Sequence, residues 1–259
     1  MSSRTDMLPI LADAFSSFGA AADAIGTDRW AAQSLCPAWT VRDVVLHSTT
    51  IESALVGWRP GDDNPFLAMP AIATTLGELD ADTLLARWGE VTAARLDELA
   101  GMDDDTYEAP SVTPVGPGTY ARFMRIRVFD VWVHERDFRV PLGIPGDDAG
   151  PAAEVALDEV QASLGYIVGK KVGLPDGASI EFDLTGPVRR TMCVAVDGKA
   201  GRVDHLDDPT VTLTTDSLTF MLLACGRIDP EGPIGDGRVV LDGDASLADH
   251  AARSLAFTM

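Results

Sequence analysis

Apolar residues recur along the first half of the chain at three- and four-residue steps. After Leu8 come Leu11, Phe15, Phe18, Ala22 and Ile25, and the series stops at Gly26, which predicts a first helix. Thr40 is placed to cap a second, with Asp43 three positions on to serve the exposed amides of the first turn. Val44, Ile51, Leu55 and Trp58 form its apolar stripe, and it is expected to end before Pro60-Gly61. Residues 62–79 carry Pro and Gly punctuation and little sustained period. Leu85, Trp88, Leu96 and Leu99 then mark a third helix from about Asp82 to Ala100. The run Asp103-Asp104-Asp105 reads as solvated loop. A fourth helix, Thr119 to about Arg139, is apolar on most sides between Phe123 and Val133, as expected of a helix buried against several neighbours. Four long helices make a bundle the economical architecture.

The period changes further on. A fifth helix is expected to begin near Pro151 and to run through Val155, Val160, Leu164 and Ile167, bridging two domains. From Ala178 apolar and polar residues alternate: Ile180, Phe182 and Leu184, then Met192, Val194 and Val196, then Val211 and Leu213. Ser217 to Cys225 reads as helix, Arg238 to Leu241 as a short strand before Asp242-Gly243, and Ser246 to Phe257 as a last helix. The fold class is therefore α+β, a four-helix bundle over residues 1–147 followed by a small α+β domain over 148–259 with the bridging helix at its start.

Composition narrows the function. A 259-residue chain with 46% hydrophobic and 23% charged residues is long enough and ordinary enough to bury a core in each of two domains. Forty acidic against 20 basic residues leave a net charge of −20, and no basic patch opposes that field, so nucleic acid and anionic membrane are not expected partners. The longest uninterrupted apolar stretch, Phe220 to Cys225, is short of a membrane span, and the N-terminal segment lacks the features of a secretory signal. A cytoplasmic location is expected. Cys36, Cys193 and Cys225 are too few for a disulfide framework.

Candidate chemistry lies with the four histidines. His47, three residues after Val44 and four before Ile51, falls on the inward stripe of the second helix. Asp130 and His134 are four apart, so they stack on one face of the fourth. Two imidazoles and a carboxylate presented inward by facing helices suit a divalent metal and leave a coordination position open. The same spacing also suits a plain side-chain pair, because Arg127 stands three residues before Asp130. Asp137, three after His134, is placed to accept the imidazole's other N–H, or else to be a solvated charge at the helix end. Cys36 reads as packing, His205 as exposed among acidic residues, and His250 as part of the last helix.

The surrounding residues carry a resemblance. Trp30 and the run Cys36-Pro37-Ala38-Trp39-Thr40-Val41-Arg42-Asp43-Val44-Val45-Leu46-His47 resemble the opening signature of the mycothiol-dependent maleylpyruvate isomerase family. Arg127-Val128-Phe129-Asp130-Val131-Trp132-Val133-His134-Glu135-Arg136-Asp137 resembles its second signature. The tail resembles the family's sterol-carrier-like C-terminal domain at Asp208-Pro209, Gly226-Arg227 and Gly243-Asp244 before Leu247-Ala248. The resemblance implies a DinB-like bundle holding a divalent metal, zinc above all, through His47, Asp130 and His134. It also implies mycothiol as thiol cosubstrate and a contribution to activity from Arg227, whose plain alternative is a surface salt bridge. The isomerases have glutamate where this chain has Asp130, which shortens the acid's reach by one methylene.

The implied function is a metal-dependent isomerase or thiol S-transferase acting on a small electrophile, its partners being that small molecule and a small thiol. A non-enzymatic metal- or lipid-binding protein of the same architecture and a metal-free scaffold are the alternatives. Substrate and oligomeric state are not legible.

Overall fold

The computed structural model describes residues 3–258, and its contacts divide the chain into two units, Met1–Asp147 and Asp148–Met259. In the first, helix α1 (Arg4–Ile25) begins at a reciprocal cap in which the Ser3 hydroxyl accepts from the Asp6 amide and the Asp6 carboxylate accepts from the Ser3 amide. Helix α2 (Val41–Leu55) begins in the same way, with Thr40 and Asp43 exchanging side-chain and backbone bonds. There follow α3 (Met69–Gly77), α4 (Ala81–Ala100), a single turn α5 (Asp104–Tyr107) and α6 (Tyr120–Arg139). Helices α1, α2, α4 and α6 form the bundle: α1 packs on α4 and α6, and α2 packs on the same two. Phe18 marks the centre, its ring 4.5 Å from that of Trp88 and edge-on to Phe138 at 5.1 Å. The buried indoles are satisfied locally, Trp30 donating to the Ala22 carbonyl and Trp88 to that of Phe15.

Several details differ from the pattern read in the sequence. Helix α2 stops at Leu55 because Gly57 turns the chain at φ +77°, so Trp58 lies beyond it and packs on Tyr120 and Phe123 instead. Residues 62–79 contain a 3₁₀ turn at Pro65–Ala68 and then α3, whose period is faint because only Leu76 of that helix is buried. Asp103 caps α5 by accepting from the Thr106 amide, while Asp104 and Asp105 are exposed. An antiparallel hairpin of β1 (Pro110–Thr113) and β2 (Gly116–Thr119) precedes α6, hidden in the sequence by its Pro and Gly content. At 22 residues, α1 is long and apolar enough to cross a membrane; its apolar side, Met7, Leu11, Phe15, Phe18 and Ile25, is buried within the bundle.

The second unit opens with α7 (Gly150–Tyr166), which continues as a π-helical segment, Ile167–Val172. Five strands follow in sheet order β5-β4-β3-β6-β7: β3 (Ser179–Thr185), β4 (Arg190–Asp197), β5 (Lys199–Val203), β6 (Val211–Asp216) and β7 (Val240–Gly243). All neighbours are antiparallel except β3 and β6. Ile180, Phe182 and Leu184 alternate inward with Val194, Val211 and Leu213, and Phe182 meets Phe220 of α8 (Ser217–Ala224) at 5.4 Å. Helices α9 (Glu231–Gly235) and α10 (Ala245–Arg253) complete the unit, α10 ending four residues before Phe257. Strand β5 escapes detection because Ala200 is its one buried side chain. Gly243 ends β7 at φ +89°, where a β-carbon would stand 2.3 Å from the Thr210 carbonyl oxygen, so glycine is required there.

Candidate metal centre

Helix α6 buries charge to an unusual degree: Arg127, His134, Glu135, Arg136, Asp137 and Arg139 are all nearly inaccessible. Such groups need partners, and the partners define the site. His47 is half-buried, at the edge of the buried stripe of α2 rather than within it, and its ring stands 4.9 Å from that of His134, edge to face. One turn before His134 on α6, Asp130 places Oδ1 3.7 Å from His134 Nε2, too far for a hydrogen bond. One ligating atom each from His47, Asp130 and His134 lies within 4.8 Å of the other two. Asp130 keeps 26% of its side-chain exposure, so the cluster is open to solution on that side.

The protonation states suit a cation. Burial pushes the pKa of His47 down to about 4, against a smaller opposing pull from Asp130, so the imidazole is neutral at pH 7 with its lone pair available. At Asp130 burial acts upward, but the Arg127 guanidinium, followed by His134 and His47, overcomes it and holds the carboxyl well below the usual carboxylate range. His134 Nδ1 lies 2.7 Å from Asp137 Oδ2. With Nδ1 held against that fully buried carboxylate, Nε2 is the ring nitrogen that faces Asp130. Cys36 Sγ donates to the same Asp137 oxygen at 3.1 Å, a contact that reading Cys36 as packing had missed. Cys36, His134 and Asp137 also lie within ligating distance of one another, but hydrogen bonds among them already account for that proximity.

Asp130 divides its oxygens. Oδ2 accepts from Arg127 Nη1 at 2.8 Å, so the side-chain pair suggested by the spacing exists, and Oδ1 remains on the histidine side. Arg127 Nε donates to Glu52 at 2.8 Å, Arg95 Nε stands 3.5 Å from the same carboxylate, and Arg95 also donates to Glu98 and the Tyr120 hydroxyl. A chain of alternating charge thus runs from α4 through α2 to Asp130. Glu52 and Arg95 were not singled out in the sequence, because their pairing is between helices and no spacing along one helix records it.

A cavity of about 560 Å³ opens beside His47, walled by Trp39, Leu46, Met69 and Pro70 among others. The Trp39 ring lies 4.8 Å from His47 and 5.9 Å from His134. Arg227 belongs to the second unit; it is buried, not on the surface, and donates to the Cys225 carbonyl in its own turn. His205 is exposed, and His250 Nε2 bonds with the Val172 carbonyl.

A helical bundle with two imidazoles and a carboxylate converging from facing helices, joined to a small mixed sheet domain, defines a two-domain protein with a candidate divalent-metal site. Residues 11–139 match the family model described as the mycothiol maleylpyruvate isomerase N-terminal domain, and residues 154–250 match the MDMPI C-terminal domain. The chain belongs to this family. Its fold is similar to a crystal structure of a histidine-to-alanine mutant of the mycothiol-dependent maleylpyruvate isomerase, with TM-score 0.65 and 18% identity over 93% of this chain and 96% of that one. A second crystal structure of that isomerase gives TM-score 0.59 and 18% identity over 88% and 93%. No curated protein matches the sequence.

Proposed function

We propose that the chain is a metal-dependent enzyme that uses mycothiol or a related small thiol as nucleophile toward a small electrophile, by addition, isomerisation or S-transfer, with zinc as its ion. The observation that carries this reading is the convergence of one ligating atom each from His47, Asp130 and His134 within 4.8 Å of one another, with His47 at the wall of a cavity and its imidazole neutral. That donor set, two imidazoles and a monodentate acid, fits a zinc site that keeps a position for an exogenous ligand. When bound there, zinc supplies a Lewis acid that favours the thiolate form of a coordinating thiol at neutral pH.

The chain's own residues do the rest. Asp137 fixes the His134 tautomer and its ring orientation through the 2.7 Å contact to Nδ1. Arg127, anchored by Glu52, keeps Asp130 ionised and aims Oδ1 at the histidines. Trp39 and Leu46 give the pocket an apolar wall beside His47.

The test is metal content and mycothiol consumption in protein purified without added zinc, for the wild type and His47→Ala. Near-stoichiometric zinc and thiol-dependent turnover are expected in the first, and loss of both in the second with an unchanged circular dichroism spectrum. Unchanged turnover in His47→Ala would remove the proposal. Asp130→Glu should preserve or tighten zinc binding if Oδ1 is a ligand.

A further inference from the structure

We propose that the cavity beside His47 selects an uncharged, apolar portion of the electrophile, with Trp39 as its stacking wall, and disfavours dicarboxylates. This rests on the reading of that cavity as the substrate site. The lining is dominated by Trp39, Leu46, Met69, Pro70 and Ala73, and among the described residues it contains no lysine or arginine. Its one acidic residue, Asp43, spends Oδ2 on the Thr40 amide and hydroxyl and adds negative charge. Of the arginines on the two site helices, Arg42 donates Nη2 to the Gly77 and Leu79 carbonyls, Arg127 donates Nε and Nη1 to Glu52 and Asp130, and neither lines the cavity. A dianion entering this pocket meets no guanidinium fork, and the chain's net charge of −20 works against its approach.

Trp39 supplies the positive half of the argument. Its carbonyl accepts from the Ser34 amide, the Ser34 hydroxyl and Gln33 Nε2, and Gln33 also clasps the Ser34 and Cys36 carbonyls. The segment carrying the indole is therefore locked. Yet the side chain is only half-buried, unlike Trp30 and Trp88, whose rings are spent on the core. A rigid, accessible aromatic face standing against both imidazoles is preorganised to stack a planar apolar group beside the reacting centre.

The experiment measures equilibrium binding by calorimetry of 1,3-dinitrobenzene, a neutral planar probe, and of maleate, a dianion, to the metal-free and zinc-loaded protein. Neither probe needs a thiol or turnover, so a failure of mycothiol chemistry would defeat the catalytic reading while these affinities still decide the present one. In metal-free wild type, dinitrobenzene is expected to bind roughly tenfold or more tighter than maleate, and Trp39→Leu to lose roughly tenfold of that affinity. Ala73→Arg, which adds a cation to the lining, should strengthen maleate binding and narrow the gap; this variant and the wild-type comparison decide the matter if Trp39→Leu does not fold. Maleate binding as tightly as dinitrobenzene in wild type, or undiminished dinitrobenzene binding by folded Trp39→Leu, overturns the proposal.

Discussion

Helix α6 and strand β3 each run through the core of their own unit, and they bury opposite things. Strand β3 sends Ile180, Phe182 and Leu184 inward against Val194, Val211 and Leu213, an apolar interior stabilised by area alone. Helix α6 takes Arg127, His134, Glu135, Arg136 and Asp137 out of water, where each must be matched by an opposite charge or a carbonyl. Desolvating ions is costly, and a hydrophobic replacement of similar volume is often at least as stable. A core built like that of α6 makes sense where the charges have work to do, and its alternating chain ends at Asp130, beside His47 and His134. The comparison separates a unit whose interior is shaped for chemistry from one whose interior is shaped for packing.

The contrast can be broken most forcefully at Glu52. Glu52→Ala leaves Arg127 and Arg95 without their shared carboxylate and should cost about 3–5 kcal/mol in chemical denaturation; a cost near zero would mean that the charges do not act as a set. In the second unit Leu213→Ala, a pure cavity change at a fully buried strand position, should cost about 2–5 kcal/mol while zinc affinity stays at the wild-type value. Asp137→Asn keeps the shape but weakens the hold on His134 Nδ1, and zinc titration should show affinity lower by roughly 10–100-fold. The smallest effect is expected at Arg227→Ala, which should lower stability by about 1–3 kcal/mol by removing the donor to the Cys225 carbonyl. Zinc stoichiometry in that variant should not change.

Legibility followed the same division. Helices α1, α2 and α4 and the strands β3 and β6 announce themselves because one face is buried and the other wetter, so period survives in the sequence, whereas β4 buries Met192, Cys193 and Val194 in succession. Helix α3, hairpin β1–β2 and strand β5 bury almost nothing on a regular face and left no such trace. At the site, His47, Asp130 and His134 were found by helical spacing and by two local signatures, and Asp137 by its place one turn on. Glu52 and Arg95 escaped because a charged residue on an amphipathic helix reads as solvent-facing until its partner on another helix is seen. Cys36, read as packing, is buried, but its bond to Asp137 escaped for a related reason: the two are 101 residues apart.

The claim on which the account depends is that His47, Asp130 and His134 act together as ligands. Calorimetric titration of zinc into metal-free wild type and into the three single alanine variants, each checked for folding by circular dichroism, tests it most directly. One zinc per chain in the wild type is predicted, with each variant weakened by more than the roughly 10–100-fold expected for Asp137. Zinc binding of wild-type strength in any folded member of the three would contradict it.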